Sequence, residues 1–432
     1  MTHYEKYRPS GVEWIDKIPS HWKVKRLKYE ALAQPSNVDK KTNEGEELVL
    51  LCNYMDVYKN EFIDSSLKFM EATASQDEIS KFSIKKGDVL ITKDSETTDD
   101  IANPALVNQD LQNVVCGYHL TQIRPTRINL LGEYLFRLFQ ENRFKAQFEV
   151  AANGVTRYGL STDVFTDAFV PLPTLEEQRA IAKYLDKKTA LIDELIAKKQ
   201  RLIELLKEER TAVINEAVSG KGKNWERKKL KYIIKDFESG VSVNSADEPV
   251  SFETEIGILK TSCVYNYVFE PSKNKRVLTE EVVRVSCPVK SNSLIISRMN
   301  TPDLVGASGF VDRDYPNLFL PDRLWQTILH KHVHLSVKYL GYVFISNFFR
   351  QEMTSKATGT SSSMKNLSKD DVLEITVPIP CYDDQISILK LIEAETQKID
   401  TTNSKIEKEI NLMQEYRTAL ISEVVTGKIK IG

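Results

Sequence analysis

Chemistry in this chain would have to start from a few short clusters. Asn103-Pro104-Ala105-Leu106 is the nearest string to the Asn/Asp-Pro-Pro-Tyr/Phe loop that holds an extruded adenine for methylation. It lacks the second proline and the aromatic ring. No glycine-rich cofactor loop accompanies it, and GKGKNW, after Gly220, lacks the spacing of a phosphate loop. Pro302-Asp303 and Pro321-Asp322 begin as metal-dependent nuclease centres do, but no Asp-x-Lys or Glu-x-Lys follows either, and both read as turns. His330, His332 and His334 alternate in LHKHVHL. On a strand they would share one face, so a metal site is geometrically possible. No cysteine or acid stands beside them, and an exposed face or a phosphate contact is the plainer reading. Cys52, Cys116, Cys263, Cys287 and Cys381 are scattered, without paired metal spacing. No catalytic constellation emerges and no metal site is expected.

Recognition needs a different set of residues. Base edges and phosphates are met by Arg, Lys, Asn, Gln, Ser and Thr on exposed turns. The first half of the chain offers Lys93, Ser95, Thr97 and Thr98 in TKDSETTDD, and Thr156, Arg157 and Tyr158 in NGVTRYG. The second half offers Arg298, Asn300 and Thr301 in SRMNTPD, and Thr360, Ser361, Ser362, Ser363 and Lys365 in TGTSSSMKN. Any one of these is also an ordinary polar loop. Their placement at matching points of the two halves singles them out.

That matching rests on an internal repeat. LKEERTAVINEAVSGK ends at Lys221 and MQEYRTALISEVVTGK at Lys428. Sliding the chain by 207 residues aligns Val170–Lys221 with Val377–Lys428 without a gap, about 21 of roughly 52 positions being identical. Apolar residues step by four and three in both copies. Leu185, Ile192, Ile196, Ile203, Leu206 and Arg210 mark the first seam; Ile392, Ile399, Ile406, Ile410, Met413 and Arg417 mark the second. The pattern predicts two coiled-coil helices, each ending at a glycine, Gly220 or Gly427. Some 45 residues at about 1.5 Å each make a rod on the order of 65 Å long. The arginines and the threonines Thr189 and Thr396 interrupt both seams at the same places, so each rod's expected partner is the other.

The intervening segments echo one another more faintly: WKVKRLKY with WERKKLKY, KKGDVLITK with VKSNSLIISR, GEYLFRLFQENRF with VKYLGYVFISNFF. Short β runs mixed with about one clear helix each give an α+β texture. The expected plan is an N-terminal segment (1–20), globular domain (21–168), helical region (169–221), globular domain (222–375) and helical region (376–432). A duplicated chain packed through antiparallel rods would carry a pseudo-two-fold axis, and DNA has local two-folds of its own. The 432 residues exceed one ordinary core, and a net charge of −2 leaves any nucleic-acid contact to local clusters. An odd cysteine number, no apolar run of membrane-spanning length and no signal-like opening place the chain in the cytoplasm, without a membrane partner.

With SGVEWIDKIPSHWKVKRLK at its start, two Pro-Leu/Ile-Pro…Gln helical repeats with Ile-Asp in mid-rod, and closing Val-Ser/Thr-Gly-Lys motifs, the sequence resembles the specificity subunits of type I restriction–modification systems over essentially its whole length. The resemblance implies two target recognition domains, each reading half of a bipartite, gapped DNA sequence, and helical regions forming an antiparallel coiled coil that docks two methyltransferase subunits. It implies no chemistry and no cofactor in this chain. S-adenosylmethionine would be bound by the modification subunits, and ATP and Mg used in partner subunits, with cleavage belonging to a separate restriction subunit. A fused enzyme acting alone would need the loops missing above. A purely structural scaffold would not need two globular domains.

Overall fold

The computed structural model describes residues 2–126, 128–252, 254–361 and 364–431. It divides into two compact units, Met1–Lys199 with Glu407–Gly432, and Gln200–Ile406. Unit boundaries therefore fall inside the long helices, which run uninterrupted over Leu175–Ser219 and Tyr382–Val425.

In the first unit a five-stranded sheet is ordered Ala31–Pro35, Leu120–Pro125, Val89–Thr92, Pro104–Val107, Phe62–Ile63. Val89–Thr92 has neighbours on both sides and all four of its residues are buried, as expected for the apolar run VLIT following the turn at Gly87. A three-stranded sheet, Val114–Cys116, Glu47–Cys52 and Met70–Ala74, carries a second core. The main core gathers Trp22, Tyr134, Phe136, Phe139, Phe144, Phe148 and Phe165 against Leu420, Ile421, Val424 and Val425 of the second long helix. The aromatic helix Gly132–Phe139 supplies three of these rings.

In the second unit the corresponding sheet is ordered Ile234–Glu238, Leu324–Leu329, Ser293–Ser297, Ser308–Val311. Its core sets Phe237, Trp325, Tyr339, Phe344 and Phe349 against Ile214 and Val218 of the first long helix and Ile392 of the second.

The duplication extends to single hydrogen bonds. Tyr134 Oη donates to Pro171 O at 3.0 Å, and Tyr339 Oη to Pro378 O at 3.2 Å. Gln178 Nε2 donates to Pro173 O at 3.0 Å while its Oε1 accepts from Leu131 N at 2.9 Å. Gln385 repeats both bonds, to Pro380 O at 2.9 Å and from Ser336 N at 2.8 Å. Both glutamines are completely buried, so each amide replaces the water that those backbone groups lose.

Each helix ends at a left-handed glycine, Gly220 at φ +66° and Gly427 at φ +75°. Space demands glycine there as well, for a Cβ would lie 2.8 Å from Trp225 Cε3 at the first and 2.6 Å from Pro19 Cδ at the second. In the first unit the helix segments run antiparallel, shown by Asp193 with Arg417 and Lys199 with Glu409; in the second, Arg210 pairs with Asp400. Leu185, Ile196, Ile203, Ile392, Ile399, Ile406 and Ile410 are buried along the seam, with Thr189 and Thr396; Ile192, Leu206, Arg210, Met413 and Arg417 are half-buried.

Two expectations change in detail. The strand Leu324–Leu329 ends before His330, so the three histidines lie off its end instead of alternating along one face. The helical content exceeds one clear helix per segment: Asn142–Ala151 and Asn347–Lys356 each follow the aromatic helix, burying only Phe144 and Phe148, or Phe349 and Met353. Such sparse apolar faces leave little periodic signal. The thiols of Cys52, Cys116 and Cys263 are buried, whereas Cys381 is exposed. Among the described residues, no helix is long and apolar enough to cross a membrane.

Candidate nucleic-acid interface

The two candidate segments of each half, some sixty residues apart in sequence, meet in one small sheet. In the first unit Asp94–Ser95 pairs with Tyr158–Gly159, which pairs with Asn153–Gly154. In the second, Met299–Asn300 pairs with Met364–Asn366, which pairs with Thr358–Ser361. The equivalence includes a close approach: a Cβ on Gly154 would stand 1.9 Å from Arg157 O, and one on Gly359 2.4 Å from Met364 O. Only glycine lets the hairpin strands pass so closely. The described candidates thus lie on these short paired strands or within a few residues of them, where the sequence suggested loops.

Their side chains divide into groups that are committed and groups that are free to meet a ligand. In the first unit Thr97, Thr156 and Arg157 are exposed, and Thr98 and Tyr158 half-buried. Arg157 Nη2 donates to Asp94 Oδ1 at 2.7 Å, and Asp94 Oδ2 lies 2.7 Å from His119 Nδ1, so one carboxylate holds both. Lys93 Nζ donates to Ser36 O at 3.0 Å, and burial pulls its pKa down. Ser95 is buried, its Oγ accepting from Thr97 N at 3.5 Å. Lys93 and Ser95 therefore brace the sheet.

In the second unit Asn300 is similarly consumed. Its Nδ2 donates to Tyr265 Oη at 2.8 Å and Ser297 Oγ at 3.1 Å, and its Oδ1 accepts from Thr301 N at 2.9 Å. With only 9% exposure it holds the turn, and it is not placed to read a base edge. Thr301 is exposed. Arg298 stacks over Trp325 at 5.8 Å, and its Nε is buried without a protein partner. Lys365 Nζ donates to Gly359 O at 3.3 Å. Thr360 and Ser361 lie on the strand Thr358–Ser361, and Ser362 and Ser363 lie outside the described residues.

The alternative chemical clusters stay apart. His330 Nε2 lies 3.1 Å from Lys231 O, His330 and His332 rings are 5.3 Å apart, and His334 sits edge-on to Tyr382. Among the described residues, no group of His, Cys, Asp or Glu could hold a metal ion. Asn103 Nδ2 donates to Asp100 Oδ1 at 3.0 Å and its Oδ1 accepts from Lys145 Nζ at 3.0 Å, leaving the Asn-Pro string as a structural corner.

Comparison with known proteins places this architecture. Residues 41–205 match the family model of the type I restriction modification DNA specificity domain. The chain is 21% identical over 438 residues to the putative MjaX specificity subunit of Methanocaldococcus jannaschii, covering 96% of each chain. It is 21% identical over 183 residues to the EcoEI specificity subunit of Escherichia coli, a match spanning 42% of this chain and 31% of that one. A chain solved in work on complex assembly and conformational transition of the type I R-M system superposes with a TM-score of 0.72, at 15% identity, over 95% of this chain and 99% of its own. In sequence and in fold the chain is similar to the type I restriction–modification specificity subunits. In this chain the sequence missed the residues that surround the paired strands. Tyr54 and Tyr58 stack at 5.5 Å, and the Tyr118 and His119 rings lie 3.7 Å apart beside Asp94. In the second unit Arg350 lies over Tyr267 at 5.6 Å and donates to Asp303 O at 3.1 Å. The internal duplication gave no signal for these residues, because they occupy the stretches where the two halves diverge.

Proposed function

We propose that the chain is the DNA-reading subunit of a type I restriction–modification complex, each unit reading one half of a bipartite target. The observation that carries this reading is the duplicated three-stranded sheet, which brings the same two polar segments together at equivalent places in both units. Exposed Thr97, Thr156, Arg157 and Thr301 beside these short strands suit base and phosphate contact. The name and fold of the relatives support it.

On this reading the chain performs no chemistry. The helical regions dock two methyltransferase subunits, which bring S-adenosylmethionine, and a restriction subunit supplies ATP- and Mg-dependent cleavage of unmodified DNA. Exposed leucines on the first long helix support the docking: Leu191 and Leu195 in the first unit, and Leu202 and Leu205 in the second, are 42–51% exposed. Each pair, outside the seam, fits the apolar face of a further helix.

The test is a domain exchange. Replacing about residues 21–168 with those of another specificity subunit, beside the native partners, should change one half of the methylated sequence, mapped base by base in cells. A change in both halves would contradict independent reading. Methyl transfer by the purified chain alone, given S-adenosylmethionine, would sink the non-catalytic assignment.

A further inference from the structure

The paired bonds of Tyr134 and Tyr339, and of Leu131 and Ser336, set the helix Gly132–Phe139 in register with Val337–Ile345. In that register Phe136 corresponds to Gly341 and Arg137 to Tyr342. Phe136 is buried, its ring 5.5 Å from Phe62 and 4.8 Å beneath the Arg137 guanidinium. At Gly341 the ring is missing, and a cavity of about 160 Å³ opens in the second unit. Tyr267, Phe269, Ser308, Phe310, Gly341 and Tyr342 line it. Ser308, 1% exposed, keeps a buried hydroxyl with no protein partner.

We propose that this cavity is a binding site for a single neutral aromatic ring of benzene or phenol size. The volume is the first reason: a partly open pocket of about 160 Å³ is the size of one benzene ring's cavity. The second is the lining, whose aromatic edges and faces offer a ring the same kind of contact that Phe62 gives Phe136. Charge is the third. Arg210 and Lys338 also border the space, but Arg210 pairs with Asp400 at 3.3 Å and Lys338 with Glu393, so the site presents no unbalanced cation to attract an acid. Keeping a glycine inside a helix is unfavourable in itself, and here it maintains the opening.

The experiment titrates the full chain with phenol and with benzene, followed by ligand-detected NMR and by thermal unfolding. The expected result is saturable binding of both, with midpoints on the order of millimolar, as one ring's apolar area allows. Gly341→Phe places in the second unit the ring that Phe136 gives the first. It should abolish binding and raise Tm. If that variant fails to fold, Gly341→Ala, whose Cβ would lie 3.2 Å from Leu294 Cδ2, should fold and weaken binding several-fold. Absence of saturable binding to the unaltered chain overturns the proposal, as does binding that Gly341→Phe or Gly341→Ala leaves unchanged.

Discussion

Arg417 Nε lies 3.0 Å from Asp193 Oδ1, and the residues 207 positions away, Arg210 and Asp400, repeat the pair at 3.3 Å. Each pair joins the two long helices within one unit. An arginine in an apolar seam is costly unless its charge is met, and a slip of one heptad would separate each arginine from its aspartate. Arg417 also pairs with Glu61 and is the more buried of the two, its side chain 18% exposed against 30% for Arg210. Arg417→Ala should therefore cost about 1–2 kcal/mol and Arg210→Ala less than about 1 kcal/mol. Urea unfolding of the two variants checks the order, and equal losses would remove Glu61 from the account.

The buried amides make a second prediction. Gln178→Leu and Gln385→Leu remove the partner of half-buried Leu131 N or Ser336 N and of a buried proline carbonyl. Each should destabilise its unit by about 2–4 kcal/mol, from roughly 1–3 kcal/mol for each orphaned group. Hydrogen exchange at Leu131 and Ser336 should accelerate in the matching variant only. Simultaneous acceleration at both amides would count against this local account.

Acid stability follows from Glu374. Hydrogen bonds from Lys229 and Lys231 hold its carboxyl at about 2, below the ordinary 4.5. A carboxylate depressed in the folded state stabilises fully above its unfolded pKa, and that contribution fades as pH falls through the folded value. The loss should fall between about pH 4.5 and about pH 2. Chemical denaturation across that range should show a shallower decline for Glu374→Gln. An identical profile for the variant would mean that the contribution is absent.

The Asp94 carboxylate, shared by Arg157 and His119, bears on DNA binding. It neutralises the arginine on an otherwise exposed turn. Asp94→Asn should raise affinity for DNA of unrelated sequence and steepen its salt dependence by up to about 0.9 per released charge. Arg157→Ala should act in the opposite sense. Fluorescence anisotropy at several salt concentrations measures both slopes; a flat response in both variants would place this turn away from DNA.

Both seams were legible because local periodicity carries them: Ile196, Ile203, Ile399 and Ile406 stand at heptad spacing and are buried. The Arg–Asp pairing was not, since one stripe fits several offsets and only opposing side chains select among them. At the candidate interface, sequence found both segments but could not show that Asp94 pairs with Gly159, a contact across 65 residues. It also read Asn300 as a reader from its chemistry. Tyr265 and Ser297, which occupy that amide, come together with it only in the folded chain.

The division of the chain also sets an order of assembly during synthesis. Residues 200–406 form the second unit without interruption, whereas the first awaits 407–432. Leu420, Ile421, Val424 and Val425 fill its main core, and Val425 O accepts from Tyr134 Oη at 3.2 Å. A ribosome adding about 5–20 residues per second makes the intervening 207 residues in roughly 10–40 s. For that interval the earlier half must wait with its aromatic core uncovered while the later half can close. The half translated second can thus be the first to finish folding, and the waiting half is where chaperones would be needed.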